Sequence, residues 1–249
     1  MFISEYFQFD EVQSRTMLTM GVFDALLDID SNFFINILRL KESTIPEFKE
    51  AYQQINSFFS KIATLLDAAD SPSKKDKMYR TALSTFHFHE VNGINLGFSK
   101  SGYGSGWGNE LSEKILFDAY QIVKKGVKQP EIFHLVSLFE EGVGPDRLSD
   151  MIATIIEPEI KKYTLRVMKE LNITPDKYPQ LQFRSDNLIQ NPHKNSVILF
   201  LPTEILHELP IAKDWDDIDR VVFENASIRR EISAEVGEEW RRWASSDKK

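Results

Sequence analysis

No cysteine occurs among the 249 residues. Disulfides, thiolate metal sites and cysteine nucleophiles are thereby excluded, and a cytoplasmic setting is expected. Positive charge is also scarce, with 30 Lys and Arg against 38 Asp and Glu, a formal net charge of −8. A wide phosphate-binding face needs clustered cations, so this balance argues against one and leaves room only for a local basic patch. No apolar run approaches the roughly 20 residues that span a bilayer, so no membrane partner is expected. The opening Met1-Phe2-Ile3-Ser4-Glu5 lacks the basic-then-apolar order of a secretory signal. Neither a P-loop nor a nucleophile elbow around a serine is present.

What is present is a globular balance with many aromatics. A hydrophobic fraction of 42% and a charged fraction of 27% place the chain among soluble globular proteins. Eighteen Phe and four Trp predict an aromatic core. The fold class expected is α/β or α+β: one domain over 1–249, with a mostly antiparallel sheet covered by helices and a long C-terminal helix over 216–245.

Phe7 and Phe9 share a face of a predicted strand over 3–9. Residues 22–27 and 33–40 read as arms of a hairpin about the turn 28–32. Ser43-Thr44-Ile45-Pro46-Glu47 reads as a helix start, followed by the stripe Phe48, Tyr52, Ile55, Phe59, Ile62 and Leu66. Alternation of Phe86 and Phe88 with His87 and His89 predicts a strand within 81–91. Asn109 is the expected cap of a helix with the stripe Leu111, Ile115, Ala119 and Ile122. Another helix starts near Pro130. A further one opens at Leu148 or Ser149, is interrupted at Pro158, and resumes through Ile160, Tyr163, Val167 and Leu171. Residues 181–184 and 197–201 read as paired strands.

Three stretches offer chemistry. The first is the acidic turn at 139–150. Asp146 and Asp150, near a helix start, converge there with Glu141 or Glu140 as candidate catalytic and metal-holding carboxylates. Asp28 and Asp30, or Asp214, Asp216, Asp217 and Asp219, are available to complete the set. Oxygen ligands of this kind suit Mg²⁺ or Mn²⁺. The same acids are also good helix caps, and capping alone explains them. A literal match to the metal-nuclease pattern PD…ExK runs from Pro145-Asp146 to Glu159-Ile160-Lys161. On a helix Glu159 and Lys161 point about 200° apart, which keeps them from one metal.

The second stretch is glycine-rich. Gly102, Gly104 and Gly106, with Lys100, precede a helix as a phosphate cradle does, which makes a nucleotide or nucleic acid a candidate partner. A loop that packs on the core or on a partner explains the same residues. The third is the pair His87 and His89, two potential ligands with no third at recognisable spacing.

At the C-terminal end, Trp240 and Trp243 extend the stripe Val221, Ile228, Ile232 and Val236. Two exposed tryptophans are costly in water, so a protein partner, a second copy or further chain is expected to cover them.

Four stretches together, 28–43, 102–113, 140–150 and 209–219 (Leu-Pro-Ile-Ala-Lys-Asp-Trp-Asp-Asp-Ile-Asp), resemble a family of uncharacterised bacterial proteins. The resemblance covers most of the chain and implies an association with phage-defence genes. It carries no activity over residue by residue. It implies an acid where Asn36 stands here, which sets a carboxylate role for the first hairpin in question. Two functions are therefore expected. One is a metal-dependent phosphodiesterase or nuclease-like component of a bacterial antiviral defence system. The other is a non-catalytic assembly or interaction subunit of a larger complex.

Overall fold

The computed structural model describes residues 1–97, 108–126 and 145–209, together with residues 223, 226, 227, 230 and 234; of Asp146 it describes the backbone alone. Among these residues the fold is mixed α+β and rich in helix, with eight α-helices and two three-residue strands. By contacts, the chain divides into two compact units. One comprises Met1–Tyr52, Glu90–Ser105 and Ile152–Leu209; the other comprises Gln53–His89, Gly106–Met151 and Pro210–Lys249.

In the first unit, Ile3–Phe7 is a helix (α1), not the predicted strand. Ile3 and Phe7 are four residues apart and both buried, so helical spacing wins over the Phe7/Phe9 alternation. The Asp24 carboxylate accepts from the Ser4 backbone N–H at 2.9 Å and from its hydroxyl, which satisfies the start of α1 from a distance. Asp10 then opens α2 (Glu11–Thr19) by a reciprocal exchange: Gln13 N–H donates to its carboxylate at 2.8 Å, and its own N–H donates to Gln13 Oε1.

The predicted hairpin over 22–40 does not form. Only Phe33–Ile35 is a strand (β1), and it pairs antiparallel with Leu206–Glu208 (β2) in the register Phe33↔Glu208, Phe34↔His207 and Ile35↔Leu206. The expected first arm bonds elsewhere, with Phe23 N–H donating to Leu201 C=O and Leu27 N–H to Met1 C=O. The returning arm becomes helix α3 (Ile37–Lys41), because the Asn36 side chain accepts from Leu38 N–H at 2.9 Å and caps it.

Residues 181–184 and 197–201 are likewise not paired strands. Phe183 bridges to Ile189 and Gln190 to Val197, each as an isolated contact. Val197, Ile198, Leu199, Phe200 and Leu201 are all buried. This extended segment is held by separate bonds: Ile198 N–H to Ile189 C=O, Leu199 N–H to Gly93 C=O, and Phe200 N–H to Thr164 Oγ1. Gly93, at φ +109°, lies so close that a Cβ there would sit 2.2 Å from Val197 O. The expected broad sheet is thus replaced, among the described residues, by one small ladder and an irregularly bonded core segment. Thr203–Ile205 forms the 3₁₀ turn between that segment and β2.

The second unit follows the sequence more closely. Helix α4 (Ala51–Ala68) buries Ile55, Phe59, Ile62 and Leu66 completely. It starts later than Ser43 predicts, because the Ser43 hydroxyl and the Thr44 N–H both donate to Glu204 Oε1 instead of capping a helix. Asp76 caps α5 (Lys77–Thr85) through Met78 and Tyr79 N–H, and those backbone bonds hold its carboxyl below the usual range. Beyond α5, Phe86 and Phe88 are buried and His87 and His89 exposed, so the alternation is real although no strand forms. Phe58, Phe59, Phe86 and Phe88 make one ring cluster, with neighbouring centroids 4.8–5.7 Å apart for three of the pairs. Helix α6 (Asn109–Val123) is capped by Gly108, with Asn109 its first residue.

Helix α7 (Pro145–Ile155) ends where Pro158 predicts a break, and α8 (Glu157–Glu170) restarts with that proline in its first turn. Of the predicted helix 216–245, residues 223, 226, 227, 230 and 234 are helical, and the rest lies outside the described residues. Phe223 is exposed, with the Arg230 guanidinium 5.6 Å from its ring.

Candidate functional site

The sequence-predicted sites are only partly within view. Asp150 is half-buried in α7, and the backbone of Asp146 lies one turn earlier in the same helix. Glu141 and Glu140 lie outside the described residues, as do Gly102, Gly104, Gly106 and Lys100, the acids Asp214 to Asp219, and Trp240 and Trp243. Among the described residues no group of three or more His, Asp and Glu is placed to hold a metal ion. The PD…ExK pattern is separated as its helical spacing requires: Lys161 pairs with Glu157 at 2.7 Å, while buried Glu159 meets Lys162 at 3.4 Å.

The turn 28–32, a candidate source of further carboxylates, has a different role. The Asp30 side chain is 5% exposed and bonded to Lys194 Nζ at 2.9 Å. Lys194 also donates to Asn95 Oδ1 at 3.1 Å, and Asn95 Nδ2 donates to Leu26 C=O at 2.8 Å. Asn191 Nδ2 donates to Leu27 C=O at 3.0 Å, and its Oδ1 accepts from the N–H groups of His193 and Lys194. Ser31 Oγ accepts from Leu26 N–H. A buried charge pair is costly unless further hydrogen bonds support it, and here Asn95 accepts from the same ammonium. The network fixes an irregular backbone that makes few ladder bonds of its own. Asp30 is therefore a structural carboxylate, held by a lysine that sequence spacing does not connect to it.

Above this clamp the first unit has a cleft of about 410 Å³. Phe2, Leu26 and Ile29 supply apolar wall, Phe23 and Phe33 an aromatic one, and Asp24, Asp30 and Glu208 the carboxylates. Phe2 and Ile29 are each 43% exposed, unusual for large apolar side chains that share one cleft. Two of the acids are already engaged, Asp24 by Ser4 and Asp30 by Lys194. Glu208 is exposed, and its carboxylate has no hydrogen bond or ion pair among the described residues. The cleft therefore presents apolar and aromatic surface beside Glu208, with the Asp24 carboxylate hydrogen-bonded to Ser4 and Asp30 paired with Lys194. Sequence reasoning paired Phe33 with the hairpin arm 22–27 and not with Glu208. It missed their meeting, because three-residue strands give no periodic signal.

A family model described as a domain of unknown function (DUF8370) matches residues 11–213, well over half of the chain. No curated protein and no solved structure matches it.

Proposed function

We propose that this chain, which belongs to the DUF8370 family, is a non-catalytic interaction subunit whose first unit takes up a segment of another protein in the cleft at Phe23, Phe33 and Glu208. One observation carries this reading: the cleft keeps Phe2 and Ile29 exposed beside Glu208, whose carboxylate has no partner among the described residues, while Asp30 is paired with Lys194. Docking of an apolar side chain beside a cation needs only this arrangement. The net charge of −8 favours a partner segment of opposite charge. A peptide alternating leucine with lysine should bind, one alternating leucine with glutamate should not, and Glu208→Lys should weaken the first roughly fivefold at low salt. Calorimetric titration decides this; equal binding of the two peptides removes the electrostatic part of the reading.

A metal-dependent phosphodiesterase or nuclease-like activity within bacterial antiviral defence is the second reading. Asp146 and Asp150, one turn apart in α7, favour it, since such spacing puts two residues on one side of a helix. It requires Glu141 to join them around Mg²⁺ or Mn²⁺, and Gly102, Gly104, Gly106 and Lys100 to meet phosphate. Millimolar metal should then raise the melting temperature, and Asp150→Asn, which removes the charge inside α7 with little change of shape, should abolish the rise. An unchanged melting temperature removes the metal from this reading. Assembly through Trp240 and Trp243, in a cytoplasmic setting, is compatible with either reading.

A further inference from the structure

Resting on the reading of the cleft as a docking site for another protein, we infer that its occupant is residues 240–249 of a second copy of this chain. The walls of the cleft are unbalanced in charge. Asp24, Asp30 and Glu208 line it, with no Lys, Arg or His among the described residues that do so. Lys194 offsets Asp30, which leaves the charges of Asp24 and Glu208 in surplus. These carboxylates can accept more than they now do. A carboxylate offers about four acceptor positions, and Ser4 fills two on Asp24. Ser31 and Asn32 add polar atoms to the same lining. Such a wall suits a positively charged group rich in N–H donors, and a guanidinium is both. Phe2 and Ile29, each 43% exposed, leave apolar surface for a side chain next to that cation.

The sequence supplies the matching segment. Within a chain of net charge −8, residues 240–249 (Trp-Arg-Arg-Trp-Ala-Ser-Ser-Asp-Lys-Lys) hold four Lys and Arg against one Asp. Arg241 directly follows Trp240, and Arg242 directly precedes Trp243, so each guanidinium has an indole as its neighbour in the chain. Trp and Arg are the residue types that most often carry interface energy. An indole also has the area to cover apolar surface of the kind that Phe2 and Ile29 leave open. Segment and cleft are different surfaces, so the contact is directional, and each copy can give a segment and receive one.

The test is sedimentation of the full chain at low salt over a range of concentrations. Wild type should associate reversibly. Glu208→Lys and the double variant Arg241→Glu/Arg242→Glu, each checked for a native melting transition, should associate about tenfold more weakly. Mixed together, the two variants should form a one-to-one complex, because the first keeps its segment and the second its cleft. A peptide of residues 240–249 in excess should return wild type to monomers, and the same peptide with both arginines changed to glutamate should not. Wild type that stays monomeric at every concentration overturns the inference, and so does a mixture that gives no complex. Association of Glu208→Lys at wild-type strength also overturns it, because the tryptophans would then meet another surface. In each of these cases, binding of the leucine–lysine peptide in the cleft leaves the docking reading standing, and failure of that peptide as well sinks both.

Discussion

The two units bury their aromatic residues by different means. In the second unit, α4 and α6 satisfy their backbones internally and present stripes such as Ile55, Phe59, Ile62 and Leu66. In the first, residues 22–32 and 189–202 carry little regular structure, and single side chains hold the backbone: Asn95 on Leu26, Asn191 on Leu27, Thr164 on Phe200. A helix shares its stability among many equivalent bonds, whereas a clamp concentrates it in a few. Irregular backbone also permits a concave surface, and the cleft lies where the clamps are.

Large apolar truncation in the second unit should give the largest effect. Phe59→Ala removes a fully buried ring from the Phe58–Phe86–Phe88 cluster and should cost about 3–5 kcal/mol in urea denaturation. In the first unit Gly93→Ala should come close, at about 3 kcal/mol, because its Cβ would meet Val197 O at 2.2 Å with φ at +109°. Gly21→Ala is the control. Its φ is +63°, nothing lies within 4 Å, and the backbone alone should cost about 1 kcal/mol. Equal losses for Gly93→Ala and Gly21→Ala would break the comparison, since the close approach of segments 93 and 197 would then count for nothing.

Asn191→Ala should cost about 2 kcal/mol, as buried Leu27 C=O and the His193 and Lys194 N–H groups all lose a partner. A smaller effect sharpens the contrast from the charged side. The Arg166 guanidinium donates to Glu47 at 2.6 and 2.9 Å and holds its carboxyl below the ordinary range. A carboxyl whose folded value is depressed gives stability that is present above its unfolded value and is lost as pH falls through the folded one. Arg166 is partly exposed, so after solvent screening the pair should contribute about 1 kcal/mol. Glu47→Gln should therefore flatten part of the acid limb of the stability curve below about pH 4.5 and leave its slope near pH 8 unchanged.

Legibility in the sequence divides along the same line. The stripe from Ile55 to Leu66, the alternation around Phe86 and the break at Pro158 were readable, because periodicity and proline act locally. Asp10 and Gln13, a capping pair three residues apart, were equally local and gave the signal for α2, which went unused. The β1–β2 ladder was not readable, since Phe33 and Glu208 are far apart in sequence and each strand is three residues long. Asp30 stood out as an acid at a turn, but its partner Lys194 is 164 residues away. The candidate cleft was therefore visible only as scattered residues, and its loop was read as a source of metal ligands.

The central claim, that this cleft docks a basic and apolar segment, is tested most directly by hydrogen exchange on the full chain with and without the leucine–lysine peptide. Slowed exchange confined to residues 23–33 and 206–208, absent with the leucine–glutamate peptide, is the predicted result. Slowing only elsewhere in the chain, or none at a saturating peptide concentration, would contradict it.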